Sequence, residues 1–232
     1  MMWKGHTLLA LIMGLPFISS PEQIFLLVAG ALYPDLDHDV KSKIVNRGLF
    51  ISGVLVLTNI LLYLFKPSYF DIDFFVISIA VLLLYVIPYF ANHRGITHTF
   101  LCMIVVSVIL GYLTYKISVL LSPIIAGIVA LIMVTSRRIL SKVLPICIIV
   151  WIVTHLILSV IKNPLIDLPG IYHYIVPVCI GYFSHILGDS LTPAGCNALY
   201  PFNYKLYRRE GVILIGVWIF ILLLIIYNYI KI

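Results

Sequence analysis

Three short segments of the sequence contain histidine, two of them together with aspartate, and could bind a metal ion. The first contains Asp35, Asp37, His38 and Asp39, directly after an apolar run. Carboxylates and imidazoles are the ligands expected for zinc, manganese or magnesium. Charged side chains beside a lipid-facing run are costly unless they serve a purpose. The same residues would also suit a solvated loop that follows a helix, so this segment alone leaves both interpretations open.

The second segment contains His93 and His98, which are five residues apart. They would not stack on one face of a continuous helix, but a turn at Gly95 and a helix capped near Thr97 would let both point inward. Arg94 could pair with a phosphate or a carboxylate. The alternative interpretation is a basic loop with polar helix caps.

The third segment places His185 and Asp189 four residues apart late in an apolar run, hence on one face of a helix. Gly181 falls near the same stripe, where a small residue allows a neighbouring helix or a substrate to approach closely. Ionisable residues inside a membrane helix are functional candidates. The alternative is a polar pair that only joins two helices. The irregular segment 192–202 follows and would frame the site.

A fourth contribution comes from His6, which could instead be a polar residue at the start of a helix. The chain has only nine acidic residues and seven histidines, so their concentration in these places is the stronger argument for a shared site. His155 lies deep in an apolar run without a nearby acid, which favours a structural role. Asp73 and His173 map to the opposite membrane face and are excluded.

The elements that must position these residues are membrane helices. The chain is 62% hydrophobic and 10% charged, whereas soluble domains average about 25% charged residues. Its mean hydropathy is +1.14. Only helices and closed barrels satisfy the hydrogen bonds of the backbone in lipid. The apolar runs lack the alternation of apolar and polar residues that is typical of barrel strands. The composition predicts an all-α polytopic bundle of about seven spanning helices, with apolar runs at 49–65, 74–91, 99–115, 118–135, 143–161, 174–191 and 211–230.

Two shorter apolar runs, 7–18 and 24–34, precede the seven. Each covers roughly 18 Å of a bilayer core about 30 Å thick, which predicts a short or re-entrant helical hairpin. The hairpin would return Asp35 to the face where His6 lies. A signal peptide is the alternative, although no A-x-A cleavage site follows. We expect one membrane domain over residues 1–232, with the hairpin and acidic loop in 1–48 and the bundle in 49–232.

The distribution of basic residues predicts the orientation. If each of the seven predicted helices crosses the membrane in turn, ten lysines and arginines lie on the face that carries Asp35 and four lie on the other. The positive-inside rule then makes the Asp35 face cytoplasmic. This topology accounts for the net charge of +6 without a nucleic-acid partner. The four cysteines show no C-x-x-C spacing and indicate neither a disulfide framework nor a zinc ribbon.

The motifs, taken in their order along the chain, resemble those of the YdjM-like family. Members of this family are LexA-regulated inner-membrane proteins described as metal-dependent hydrolases. Tyr33 and Thr99 depart from the family pattern, where an aliphatic residue and a serine are expected, but neither is a proposed ligand. The resemblance covers most of the chain and implies a metal site more strongly than a reaction. It is carried by His6, Pro34–His38, His93–His98, His185 with Asp189, Thr192-Pro193-x-Gly195 and Tyr200–Phe202.

The leading hypothesis is a metal-dependent hydrolase at the cytoplasmic membrane face. One or two divalent ions, zinc or manganese favoured, would activate water. Asp37 could bridge two ions, while His93 and Arg94 would stabilise anionic charge or orient the substrate. Location alone suggests a phospholipid or a lipid-linked phosphate as substrate. The predicted ligands are His6, Asp35, Asp37, His98, His185 and Asp189.

Three other functions fit parts of the pattern. A transferase could bind Mg²⁺ through Asp35 and Asp37 and act on a lipid or prenyl diphosphate, but Mg²⁺ prefers oxygen ligands over histidine. A metal-ion or proton transporter would usually hold its site near the membrane midplane, whereas these residues fall at helix ends. A metal-stabilised scaffold without catalysis is the third.

Overall fold

The computed structural model describes residues 3–37, 43–91, 95–160, 166, 168–202 and 204–231. His38, Asp39, His93 and Arg94, which belong to the predicted segments, lie outside the described residues. Within the described chain the regular elements are helical, apart from one isolated β-bridge between Cys196 and Leu206. The α-helices are α1 (Trp3–Gly14), α2 (Gln23–Leu32), α3 (Lys43–Phe65), α4 (Ile72–Phe90), α5 (Phe100–Leu120), α6 (Pro123–Val134), α7 (Arg137–Val160), α8 (Tyr172–Ser190) and α9 (Arg208–Lys231).

Five of these helices, α3, α4, α5, α7 and α9, are long and apolar enough to cross a membrane, so the predicted count of seven is not confirmed. The predicted run 118–135 is interrupted, because α5 ends at Leu120 and Ser122 caps a new helix that begins at Pro123. The resulting α6 has 12 residues and covers only about 18 Å.

The other predicted span that is not among the five is 174–191, which corresponds to α8. This helix has 19 residues and is therefore long enough to cross a membrane. Its histidines, aspartate, serines and glycines lower its hydropathy below that of a lipid-facing span. Most of its side chains are buried, and it lies among α1, α2 and α5. Hydropathy counts residue types without knowing which of them face lipid, so a central helix with polar residues is hard to classify from sequence.

The centre of the bundle is the contact between α2 and α8, where glycines bring the two backbones together. All ten residues of α2 are buried. A Cβ added at Gly181 would lie 1.9 Å from the Leu27 carbonyl oxygen, and one added at Gly30 would lie 2.2 Å from the Val178 carbonyl oxygen. Only glycine permits this approach. The contact places the carboxyl end of α2 beside the part of α8 that carries His185.

The first two helices form a hairpin whose tip is attached to the start of α8. The buried Gln23 accepts hydrogen bonds from the backbone N–H groups of Ser19 and Ser20, at 2.8 and 3.2 Å. Its amide nitrogen donates to the His173 carbonyl oxygen at 2.9 Å. Because both chain ends of the hairpin lie at the opposite end of α8, His6 returns to the level of Asp35.

Two 3-10 turns complete the end of the bundle that holds the candidate residues. Pro34–Asp37 follows Tyr33, the C-cap of α2, and Ile96–His98 precedes α5. Thr99 begins α5 as its N-cap, since its hydroxyl oxygen accepts a hydrogen bond from the Cys102 N–H at 3.0 Å. These turns bring residues 34–37 and 96–98 beside the last turn of α8.

Candidate metal centre

The ring of His185 is oriented by the backbone of α2. Its Nδ1 lies 2.7 Å from the Ala31 carbonyl oxygen, an acceptor that requires a proton on Nδ1. The side chain is completely buried. Nε2 is therefore the nitrogen that remains for a metal ion, in the arrangement in which a backbone carbonyl fixes the tautomer of a ligating histidine.

The ring of His98 is held from both sides. Its Nδ1 lies 3.3 Å from Oδ2 of Asp37, and its Nε2 lies 3.3 Å from Oδ2 of Asp189. The turn beneath it is fixed by the Tyr182 hydroxyl, which donates to the Thr97 carbonyl oxygen. The Cys196 thiol donates to the His98 carbonyl oxygen at 3.3 Å. These contacts give the 3-10 turn Ile96–His98 a defined orientation.

Asp189 lies between three histidines, and its two carboxylate oxygens face different ones. Oδ2 is 3.3 Å from Nε2 of His98 and 3.6 Å from Nε2 of His185. Oδ1 is 3.5 Å from Nε2 of His6. The pairing of His185 with Asp189 one helical turn later follows the spacing seen in the sequence. This central carboxylate is the side chain best placed to contact more than one ion.

Three atoms form the most compact part of the cluster: Nε2 of His98, Nε2 of His185 and Oδ2 of Asp189. Their mutual distances are 3.2, 3.3 and 3.6 Å. Tetrahedral zinc with bonds of about 2.0–2.1 Å requires neighbouring ligand atoms about 3.3 Å apart. The donor types and their spacing therefore fit a single divalent ion without rearrangement of the backbone.

His6 and Asp35 extend the cluster on the other side of His185. The His6 ring stacks on the His185 ring with centroids 3.7 Å apart and an angle of 11° between planes. Asp35 Oδ1 lies 3.8 Å from Nε2 of His185. His6, Asp35 and His185 form a second possible ligand group. Because one imidazole nitrogen binds one ion, Nε2 of His185 can serve only one of the two groups. The five residues therefore fit either one ion or two ions that share Asp189, whose Oδ1 faces His6.

Asp37 occupies a different position from the other predicted ligands. Besides facing Nδ1 of His98, its Oδ2 accepts a hydrogen bond from the Thr97 hydroxyl. Its carboxylate is completely buried and lies on the far side of the His98 ring from Asp189. This is the position of a carboxylate that orients a ligating histidine, and a bridging role between ions would require it to move.

The pKa of His98 is raised from 6.5 to about 9: burial opposes its charged form, but hydrogen bonds from its ring to Asp189 and Asp37 outweigh that effect. His98 therefore carries a proton at neutral pH when no ion is bound, and a metal ion must displace it.

The structure brings together all six predicted ligands, from four separate parts of the chain. Their roles as ligands stay predictions, as do the catalytic roles of His93 and Arg94, which are outside the described residues. Sequence reasoning missed the contributions of Tyr182 and of the Ala31 carbonyl, because neither residue type nor spacing marks them. Thr97 was noticed only as a helix cap.

Comparison with known proteins assigns a family. The entire chain, residues 1–232, matches the family model described as YdjM inner membrane protein. No curated protein and no solved structure matches the chain. With the five apolar helices, the match makes this an integral inner-membrane protein.

Proposed function

Since the chain belongs to the YdjM inner membrane protein family, we propose that it is a membrane-bound metal-dependent hydrolase that acts at the cytoplasmic face. The substrate class that fits best is a phospholipid or a lipid-linked phosphate, because the cluster lies at one end of a helix bundle in the membrane. The excess of basic residues on that face supports its cytoplasmic orientation.

One observation carries the proposal: the mutual distances of 3.2, 3.3 and 3.6 Å among the ligand atoms of His98, His185 and Asp189. A polar network that only joined helices would not need two imidazoles turned toward the same point by acceptors behind them. The acceptors behind the rings are Asp37 and the Ala31 carbonyl. Zinc and manganese suit this mixed nitrogen and oxygen set better than magnesium.

Each residue then has a specific role. His98, His185 and Asp189 would hold the first ion, and His6 would complete its coordination or hold a second ion with Asp35. A divalent ion held by these residues would lower the pKa of water toward about 7 and so supply hydroxide at neutral pH. If only the first ion is bound, Asp35, the partly exposed carboxylate of the cluster, would accept a proton from water at the point where substrate arrives. His93 and Arg94 would orient the substrate or stabilise anionic charge.

The rival functions find less support in the geometry. A magnesium-dependent lipid or prenyl transferase would need an oxygen-rich site, but three histidines lie in this cluster. A metal-ion or proton transporter would place its site near the midplane, whereas Asp189 is one residue from the end of α8.

The test begins with elemental analysis of the full chain purified in detergent, beside the variants His185→Ala and Asp189→Ala. We expect about one or two equivalents of zinc or manganese in the wild type and a loss in both variants. Hydrolysis of phospholipids and lipid phosphates in mixed micelles, with and without a chelator, then tests the reaction. His155→Ala and Asp73→Ala are matched controls, since both side chains are exposed and distant from the cluster.

The two measurements separate the parts of the proposal. A wild type that binds no zinc, manganese or magnesium after exposure to each ion would overturn the metal site. Stoichiometric metal without chelator-sensitive hydrolysis of any lipid phosphate would overturn the reaction and favour a scaffold. Metal flux into proteoliposomes that depends on Asp189 would favour transport.

A further inference from the structure

A small cavity of about 80 Å³ adjoins the cluster at Asp35. It lies among the turn after α2, the start of α3 and the link between α6 and α7. Its polar lining consists of Asp35, Thr135 and Ser136, and its apolar lining includes Leu32 and Ile139. A volume of this size accommodates a few water molecules or one phosphoryl group.

Asp35 connects this cavity with the metal cluster. Its side chain is 30% exposed, whereas the side chains of the other four members of the cluster are exposed by 3% or less. Its Oδ1 is also 3.8 Å from Nε2 of His185. Among the described residues, Asp35 is therefore the member of the cluster that a molecule entering from the surface would meet first.

Exposed basic residues flank the residues that line the cavity. Lys43 directly precedes Ile44, which contributes to the wall from the start of α3. Arg137 and Arg138 lie between Ser136 and Ile139, both of which line it. All three cations are exposed. The three cations outnumber Asp35, the one charged residue among the described residues that line the cavity, and an excess of positive charge at a concave site concentrates anionic ligands.

We propose that this cavity is the entrance through which a phosphate monoester group reaches the metal cluster, attracted by Lys43, Arg137 and Arg138. The inference deepens the proposed function and rests on it for the chemistry that follows entry. The apolar part of the lining would contact the first carbons of a lipid chain, while the small volume excludes a large headgroup. The favoured ligand is a lipid that ends in a phosphate monoester.

The experiment measures binding and needs no turnover. The full chain in detergent, treated with a chelator so that hydrolysis cannot occur, is titrated with short-chain phosphatidic acid, with phosphatidylcholine of the same chain length and with inorganic phosphate. The variant R137A/R138A is compared with R208A/R209A, which removes the same charge from exposed positions on α9, a helix that contributes no residue to the cavity. K43A is the third variant.

We expect phosphatidic acid to bind R137A/R138A at least about tenfold more weakly than the wild type, with a smaller loss in K43A and no change in R208A/R209A. Phosphatidylcholine should bind weakly to all of them. Inorganic phosphate that shows the same arginine dependence and the same affinity would assign the entrance to free phosphates and overturn the lipid assignment.

Equal losses of affinity for phosphatidic acid in R137A/R138A and R208A/R209A would mean that only the overall charge of this membrane face matters. That result would overturn the proposal that the cavity is the entrance. A fourth variant, Ile139→Trp, fills the cavity without a change in charge and should also weaken binding of phosphatidic acid. Unchanged binding in this variant, with wild-type metal content as evidence of folding, would equally contradict the inference. Arginine-dependent binding in a chain that never binds metal would preserve the entrance while the hydrolase proposal fails.

Discussion

The carboxylate of Asp37 lies 3.3 Å from Nδ1 of His98, on the opposite side of the ring from the atoms that could hold an ion. The relationship gives this aspartate a different task from Asp189. A charged acceptor behind an imidazole fixes its tautomer and makes the other nitrogen a better ligand. The two carboxylates can therefore be separated by experiment.

We expect Asp37→Asn to keep the number of bound ions but to weaken metal binding by about 10–100-fold, because the ring loses its charged partner and keeps its ligand nitrogen. Asp189→Asn should lose bound ion altogether. Elemental analysis gives the stoichiometry, and titration against a metal-binding dye gives Kd. Loss of a full equivalent in Asp37→Asn would instead make Asp37 a direct ligand.

Metal binding should weaken as the pH falls below about 9, since the raised pKa of His98 means that a proton competes for its ring. One displaced proton corresponds to a change in apparent Kd of about tenfold per pH unit. A pH series of metal titrations measures the slope. In Asp37→Asn, His98 holds its proton less strongly, so metal binding should begin to weaken only at a lower pH than in the wild type. An unchanged midpoint in that variant would contradict this explanation.

Gly181→Ala should destabilise the protein, because the new Cβ would lie 1.9 Å from the Leu27 carbonyl oxygen and force α2 and α8 apart. Overpacking of this kind costs about 1–3 kcal/mol or more. Gly216→Ala is the control, since nothing lies within 4 Å of its new Cβ. Thermal unfolding in detergent measures both, and we also expect weaker metal binding in Gly181→Ala. Equal stability of the two variants would exclude the close contact.

Gln23→Leu tests the attachment of the hairpin tip to α8. The substitution removes the acceptor of two backbone N–H groups and the donor to the His173 carbonyl oxygen. A fully buried group left without a partner costs about 1–3 kcal/mol, and these groups are half-buried, so we expect a smaller loss for each and a fall in the midpoint of thermal unfolding. Asn46→Leu, at an exposed position on α3, is the matched amide control and should have little effect. A similar response in both would show that the hairpin does not depend on this attachment.

Some features of the site could be predicted because they are local. His185 and Asp189 are one helical turn apart, and their contact follows from helix geometry. The grouping of His6 with Asp35 required only that two short helices form a hairpin. The number of spans was harder to predict, because hydropathy reveals neither the helix break at Ser122-Pro123 nor the burial of α8.

The sequence by itself determined the membrane class, the helical architecture, the family and the residue types that could hold an ion. These follow from composition, from backbone hydrogen bonding in lipid and from motifs in a fixed order. Only the tertiary structure decided that Asp189 lies between three histidines while Asp37 lies behind His98. Those positions depend on how closely α2 approaches α8, which is set by the packing of Gly30 and Gly181 and cannot be obtained from the spacing of residues along the chain.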